Sequence, residues 1–319
     1  MIDMKDSLVS QINNTFNNHV SDNMGTYYKG KVRDNYHIDD KIIMITTDRI
    51  SAFDHVLGTV PFKGQVLTQL ANFWFEKTKS IVPNHIISSP DPQVLIVKKA
   101  VPLKVEVIVR AYITGSLWRE YGQGIRNQYG FNIPENLIKN QIFRKPIITP
   151  STKADYGLHD EPISKEAIIS GVVPKDIYEQ AEDYALKLFE EGQKWASSRG
   201  LILVDTKYEF GIYNGELIVI DEIHTPDSSR YWVASEYEER FNQGQEQKML
   251  DKENIRQWLI DRGFSGEGTP PNLSDEIRLE ISRSYIDLYE LLTGQTFDLG
   301  TEDVNQRITE NLKSTGYSF

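Results

Sequence analysis

The sequence contains no cysteine. Neither a disulfide framework nor thiolate chemistry is open to it, which fits a reducing compartment. It also lacks any apolar run of about 18 residues, the minimum for a membrane-spanning helix, so no membrane partner is expected. The start, Met1-Ile-Asp-Met-Lys-Asp-Ser7, is acidic and has no apolar h-region, so no signal peptide is expected and the protein is assigned to the cytoplasm. Basic residues are in the minority: 35 Lys and Arg against 46 Asp and Glu give a net charge of −11. That balance excludes an ordinary nucleic-acid partner, which favours a basic surface. Anionic substrates then require positive charge gathered locally.

What remains is a globular composition. The chain has 319 residues, enough for about two domains, and with 39% hydrophobic and 11% aromatic residues it can bury a real core. There is no repeat and no low-complexity tract.

The densest chemistry lies between Leu201 and Glu222, which reads as a β-hairpin turned at Asn214-Gly215, a pair that tolerates positive φ. Asp205, Lys207, Glu209, Asp221 and Glu222 interrupt otherwise apolar strands, and burying unpaired charge costs several kcal/mol. Two registers are open. A two-residue type I′ loop sets Lys207 opposite Glu222 and turns Asp221 to the other side with Tyr208. A three-residue loop bulged at Gly215 sets Asp221 opposite Lys207, with Glu209 a diagonal step away. The second builds a metal site, because two carboxylates and an ammonium suit Mg²⁺ and the phosphates it bridges. The hairpin alone does not separate this from a solvated face laced with salt bridges.

Taken in order, residues 5–20 have Leu8, Ile12 and Phe16 at helical spacing. Tyr27 to Ile38 reads as one strand, turned at Asp39-Asp40 into a buried strand over 41–46. Lys31 and Arg33 beside Gly30 are a candidate phosphate cover, although a solvated strand face is the better local reading. Thr47 to Asp54 brings polar residues to a strand end, where sites often sit. A helix is expected over 64–79 and a short buried strand over 94–97. Val101 to Arg110 alternates cleanly as a strand, leading to a short helix with Ser116 as N-cap and Gly122 as its stop. That helix start, with Arg110 upstream, could hold an anion, or Arg110 could pair with Glu106. Residues 145–162 form a long loop rich in hydroxyls, in which His159 is a candidate base but more often a hydrogen-bonding fixture. Helices follow over 176–199, 253–262 and 275–293, the last two expected to pack against a second domain.

Together these segments resemble the SAICAR synthetase family (phosphoribosylaminoimidazole-succinocarboxamide synthase), in its longer form. The resemblance rests on Gly30-Lys-Val-Arg-Asp34, Thr47 to Asp54, Val109 to Ser116, Pro150 to Asp155 with His159-Asp-Glu161, Leu201 to Gly211, and Asp221 to Arg230. It is weakest over 1–24 and 240–319. It implies an ATP-dependent ligase using Mg²⁺, joining the carboxylate of CAIR to the amine of L-aspartate through an acyl phosphate. Lys31 and Arg33, with Gly30, are implied to cover the ATP phosphates, and Glu209 and Asp221 to hold the metal with Lys207 beside them. Asp160 is implied near the metal, with Lys207 and Asp160 as the catalytic pair. Arg110, Ser116, Asp227, Ser229 and Arg230 are implied to bind the ribonucleotide, Glu106 to lie by the adenine, and Asp48, Ser51 and Asp54 to belong to the CAIR and aspartate pocket. The implied fold is α+β: an N-terminal antiparallel sheet domain over 1–104, and a larger α/β domain over 105–319 with a helical C-terminal part, 234–319. The resemblance also selects the bulged hairpin turn. The expected oligomeric state is monomer or homodimer. A small-molecule kinase with the same ATP site and a non-catalytic nucleotide sensor are the alternatives, and the sensor should lack some of Lys31, Lys207, Glu209 and Asp221.

Overall fold

The computed structural model describes residues 4–18, 21, 24–153, 160–300 and 302–317. The first stretch holds α1 (Met4–Gln11), β1 (Thr26–Lys29), β2 (Arg33–Ile38), β3 (Lys41–Thr46), β4 (Arg49–Ala52), β5 (His55–Thr59), α2 (Lys63–Thr78), β6 (Ile86–Asp91) and β7 (Val94–Lys98). The middle holds β8 (Val101–Tyr112), α3 (Gly115–Gly122), β9 (Ile142–Ile148), β10 (Ser151–Thr152), α4 (Lys165–Gly171), α5 (Lys175–Ser198), β11 (Leu201–Tyr213), β12 (Glu216–Ile220), β13 (Ser229–Val233) and α6 (Ala234–Asn242). Then come α7 (Glu253–Ile260), α8 (Asp275–Thr293) and α9 (Val304–Ser314). No helix among the described residues is long and apolar enough to cross a membrane.

The chain divides into two compact units: Met1–Glu76, His85–Lys99 and Leu250–Phe319 form the first, Lys77–Asn84 and Ala100–Met249 the second. In the first, a five-stranded sheet runs β1-β2-β3-β7-β6, with β4 and β5 paired separately. All its pairings are antiparallel. The single strand expected over 27–38 is a hairpin: Lys29 pairs with Asp34, and the Gly30 amide closes the turn on the Arg33 carbonyl at 2.8 Å. The helix expected over 5–20 ends at Gln11. Leu8, Ile12 and Phe16 are nevertheless all buried.

A second difference concerns the C-terminal residues. Expected on the larger domain, residues 250–319 belong to the first unit. Ile308 and Leu312 of α9 are buried in one cluster with Tyr36, Ile43, Ile45, Val94 and Ile96. Arg307 grips both carboxylate oxygens of buried Asp91, at 3.0 and 3.3 Å, and Asn311 donates to the same carboxylate at 2.7 Å. The sequence signal for α9 is faint because its apolar stripe is only Val304, Ile308 and Leu312 within a polar helix.

In the second unit the sheet runs β10-β8-β11-β12, with β9 also on β8 and β13 also on β11. β11 is long enough for two partners on one edge: Leu201 to Thr206 pairs with β13, and Glu209 to Tyr213 with β12. The apolar face of α5, including Ala181, Ala185, Leu188 and Phe189, is buried. This helix packs against β11 and β8.

The β11–β12 turn overturns an expectation. Tyr213 pairs with Glu216 and the ladder runs regularly to Glu209 opposite Ile220. Asn214 and Gly215 have φ of 52° and 82°, as a two-residue type I′ turn requires. No three-residue bulge forms.

Candidate active site

Lys207 and Glu209 lie two apart on β11 and so share one face of the sheet. Glu106 of β8 stands directly opposite Glu209. Lys207 Nζ lies 2.6 Å from Glu106 Oε1 and 2.6 Å from Glu209 Oε1. Lys153, just beyond β10, forms an ion pair with the other oxygen of Glu209, and Ser151 donates to Glu106 Oε2 at 3.3 Å.

Asp221 joins this group by a route other than the bulged turn. It lies one residue past the end of β12 with φ 64°, and this left-handed backbone lets it leave the strand's alternation. Its charge acts on both Lys207 and Lys153. The turn is therefore the regular two-residue one, and the left-handed Asp221 takes the place of the expected bulge.

The electrostatics are those of a compact ion cluster. Burial alone would raise the Glu209 carboxyl, but Lys207 and Lys153 outweigh it and hold it well below the usual range. Glu106 is raised, first by burial and then by the charges of Glu209 and Asp160, against the pull of Lys207. For Lys207, burial works downward and is overcome by Glu209, Glu106 and Asp221, leaving the ammonium well above its ordinary value. Lys153 is raised as well, with Glu209 outweighing burial. Asp160 is exposed, within electrostatic reach of Glu106. His159 lies outside the described residues.

A second cluster lies further along the same strands. Asp205, 4% exposed, accepts from Arg110 at 3.0 Å and from Arg230 at 2.5 Å, both on Oδ2. Arg110 also donates to Thr149 Oγ1 at 2.7 Å and reaches Ser116 Oγ at 3.4 Å. It pairs with Asp205, not Glu106. Two guanidinium groups converge on one carboxylate, and arginine forks are the groups best suited to grip carboxylate and phosphate oxygens. Gly115 makes room for it: its φ is 59°, and a Cβ there would lie 2.6 Å from Arg230 Cζ. Thr114, not Ser116, is the N-cap of α3. Ser229 is buried and shares a hydrogen bond with Thr206, while Asp227 is half-buried in the turn closed by Ser228 N on Thr225 O at 3.2 Å.

In the first unit, Lys31 pairs with Asp54, both about half exposed. Arg49 is the brace beneath them. It is 2% exposed, pairs with Asp34 at 2.8 Å, and donates to the carbonyls of Gly30 and Lys31, each at 3.1 Å. Arg33 is half-buried at the start of β2. Ser51 is buried and accepts from Lys252 at 3.4 Å. Asp48 is buried, and its two oxygens accept from the amides of Phe16 and Gly64 at 2.8 and 2.9 Å. Burial pushes its carboxyl up to about 6 against those hydrogen bonds.

Sequence reasoning gave Lys153 no role, placed Glu106 by an adenine, and left Asp205 among unexplained hairpin charges. Lys153 was visible as a cation directly after hydroxyl-bearing Ser151-Thr152. The Glu106–Glu209 pairing required knowing which strands adjoin. Among the described residues, no group of three or more His, Cys, Asp or Glu is arranged to hold a metal alone.

Comparison with known proteins places the chain among relatives of one family. The profile of the family described as SAICAR synthetase matches residues 26–271. The phosphoribosylaminoimidazole-succinocarboxamide synthase of Legionella pneumophila (strain Paris) is 46% identical over 299 residues, covering 91% of this chain and 95% of its own. That of Bacteroides fragilis is 48% identical over 291 residues, covering 89% and 93%. Among solved structures, the SAICAR synthase from Saccharomyces cerevisiae complexed with SAICAR superposes with a TM-score of 0.77 at 32% identity, over 89% of this chain and all (100%) of that one. A SAICAR synthetase in complex with ADP gives 0.65 at 26% identity, over 86% and 100%.

Proposed function

The chain belongs to the SAICAR synthetase family and catalyses the ATP-dependent ligation of CAIR to L-aspartate in purine biosynthesis, and from that premise we propose how its residues divide the work. The observation that carries the division is Lys207 held at 2.6 Å by both Glu106 and Glu209. A half-buried ammonium flanked by carboxylates is a weak stabilising device, because partial desolvation offsets part of the attraction. It is a good device for phosphoryl transfer, which needs fixed charge more than covalent help.

A CAIR carboxylate oxygen attacks the γ-phosphorus of ATP, the bond to the β-phosphate oxygen breaks, and ADP leaves. The aspartate amine then attacks the acyl carbon, phosphate departs with the bonding pair, and the nitrogen loses a proton to give the amide. Lys207 and Lys153 neutralise charge on the transferring phosphoryl group. Lys31 and Arg33, at the turn braced by Arg49, are assigned to the ATP phosphates. Arg110 and Arg230, with Ser116, Asp227 and Ser229, hold the ribonucleotide through the guanidinium groups gathered around Asp205. Ser51 and Asp54 are assigned to the CAIR and aspartate pocket.

Glu209 and Asp221 are hard oxygen donors, and Mg²⁺ is usually held by one or two carboxylates together with substrate phosphates, so the donor set fits that ion. When bound, it would neutralise phosphate charge. Glu106 and Asp160 keep the site's carboxylate charge high around Lys207. Glu209→Gln and Asp221→Asn should each abolish Mg-dependent turnover, followed as ADP release with ATP, CAIR and aspartate all present, while circular dichroism shows an intact fold. Normal activity in both variants would remove them from the metal site.

A further inference from the structure

The segment joining β12 to β13 runs over residues 221–228, Arg230 follows as the second residue of β13, and the middle of the segment is pinned by a histidine next to neither Asp221 nor Arg230. His224 is fully buried. Its φ is 56°, a left-handed backbone that costs a non-glycine residue on the order of 1 kcal/mol or more and persists only where the surroundings over-determine it.

Three contacts do so. The ring Nε2 and the Tyr208 hydroxyl share a hydrogen bond of 2.6 Å. The Tyr231 hydroxyl donates to the His224 carbonyl at 2.8 Å. The ring also occupies the space above Gly192 of α5, where a Cβ would lie 2.6 Å from His224 Cε1. Burial holds the imidazole down at about 3, so it stays neutral while the enzyme works.

Each of the two tyrosines is adjacent in sequence to a residue of the site. Tyr208 sits between Lys207 and Glu209 on β11, so by strand alternation its side chain leaves the opposite face of the sheet. Tyr231 follows Arg230 on β13. From His224 onward the chain closes at once into the turn that delivers Arg230: Ser229 N donates to Thr225 O at 2.9 Å, and Lys207 N donates to Ser228 O at 2.9 Å. Glu222 is tied into the same turn by Thr225 Oγ1 at 2.8 Å.

We propose that His224 is a positioning residue for the ribonucleotide site, holding the turn from Thr225 to Arg230 so that the Arg230 guanidinium meets Asp205 above Gly115. The hydrogen bond to Tyr208 on the buried face of the sheet sets the geometry on the reactive face. This rests on the reading that Arg230 binds CAIR.

The test compares Tyr208→Phe, which removes one hydroxyl and keeps the ring, with His224→Asn, whose short side chain tolerates the positive φ. Arg230→Ala is measured in parallel. In both positioning variants the KM for CAIR should rise about tenfold or more, as misplacement of a binding group does, with the KM for ATP within about twofold of wild type. A histidine that only fills the core would lower the melting temperature and leave both KM values unchanged. That result, an equal rise in both KM values, or loss of the fold in both variants would overturn the proposal. If Arg230→Ala leaves the KM for CAIR unchanged, the assignment of Arg230 fails. If it raises that KM while Tyr208→Phe and His224→Asn do not, only the positioning role fails.

Discussion

Glu106 and Glu209 stand directly opposite each other on β8 and β11, two buried carboxylates at a position where like charges oppose folding. Their titrations are driven apart, Glu106 upward and Glu209 downward. The difference lies in the partners: Glu209 has two ammonium groups, Glu106 one and a hydroxyl.

Replacing Lys207 by methionine should leave this pair without its shared counter-ion. Removing one partner of a buried ion pair costs roughly 3–5 kcal/mol, and the lower end applies because the lysine side chain is 33% exposed. Urea unfolding at pH 7 measures the loss, and turnover should vanish in the same variant. A variant as stable as wild type would mean that the carboxylates find other compensation.

Gly115 gives a second, sharper test of the arginine cluster. An alanine there meets both an unfavourable φ of 59° and the Arg230 guanidinium. Gly115→Ala should therefore raise the KM for CAIR while sparing that for ATP, read by steady-state kinetics with each substrate varied. Unchanged kinetics would show that Arg230 can move aside at no cost to binding.

The pH dependence of stability carries two opposed contributions. His224 has its folded value lowered to about 3 from 6.5, so the unfolded chain takes up the proton first. Stability is fully present above 6.5 and falls on acidification, by about 1.4 kcal/mol per pH unit from this one group. Asp48 is raised to about 6 from 3.8, so the folded state binds that proton first and gains stability as pH falls between those values. Denaturant titrations from pH 7 to 4 should show a shallower acid loss in His224→Asn than in wild type. Equal slopes would contradict the burial assigned to the imidazole.

The anchoring of α9 predicts that distant residues stabilise the first sheet. Leu312→Ala should cost about 2–5 kcal/mol, as for other large-to-small core changes, and Arg307→Ala should leave the buried Asp91 carboxylate short of its charge partner. Thermal unfolding is the measurement. A shift no larger than that of an exposed alanine substitution would show that α9 only rests on the surface.

How much of this was legible in the sequence depended on the range of the information. Strand alternation located β8 over residues 101–110, helical periodicity located α5 and α8, and Asn214-Gly215 located the turn, because each is a local pattern. The mixed α+β class and the family could be read because the motifs are contiguous strings. The arrangement of the charges could not. Asp205 between Arg110 and Arg230, and Glu106 opposite Glu209, depend on β8 and β11 being neighbours, which no single stretch encodes. The turn shows the limit well: requiring Asp221 to join the site led to a bulge, whereas the structure reaches a similar end with one left-handed residue beyond a regular ladder. The three-residue stripe of α9 was too sparse to register against its polar surroundings.

The packing of Ile308 and Leu312 into the first sheet has a temporal consequence. Apart from Lys77–Asn84, the second unit is drawn from one continuous run, Ala100–Met249, so every residue it contains has been joined to the chain before residue 250 is added. The first unit still lacks part of its apolar interior and the α9 partners of Asp91 at that moment. Domains made on a ribosome usually fold from the N-terminus onward. Here the residues of the second unit are complete first, and the strands around Tyr36 and Ile43 gain the cover of Ile308 and Leu312 only when α9 has been made.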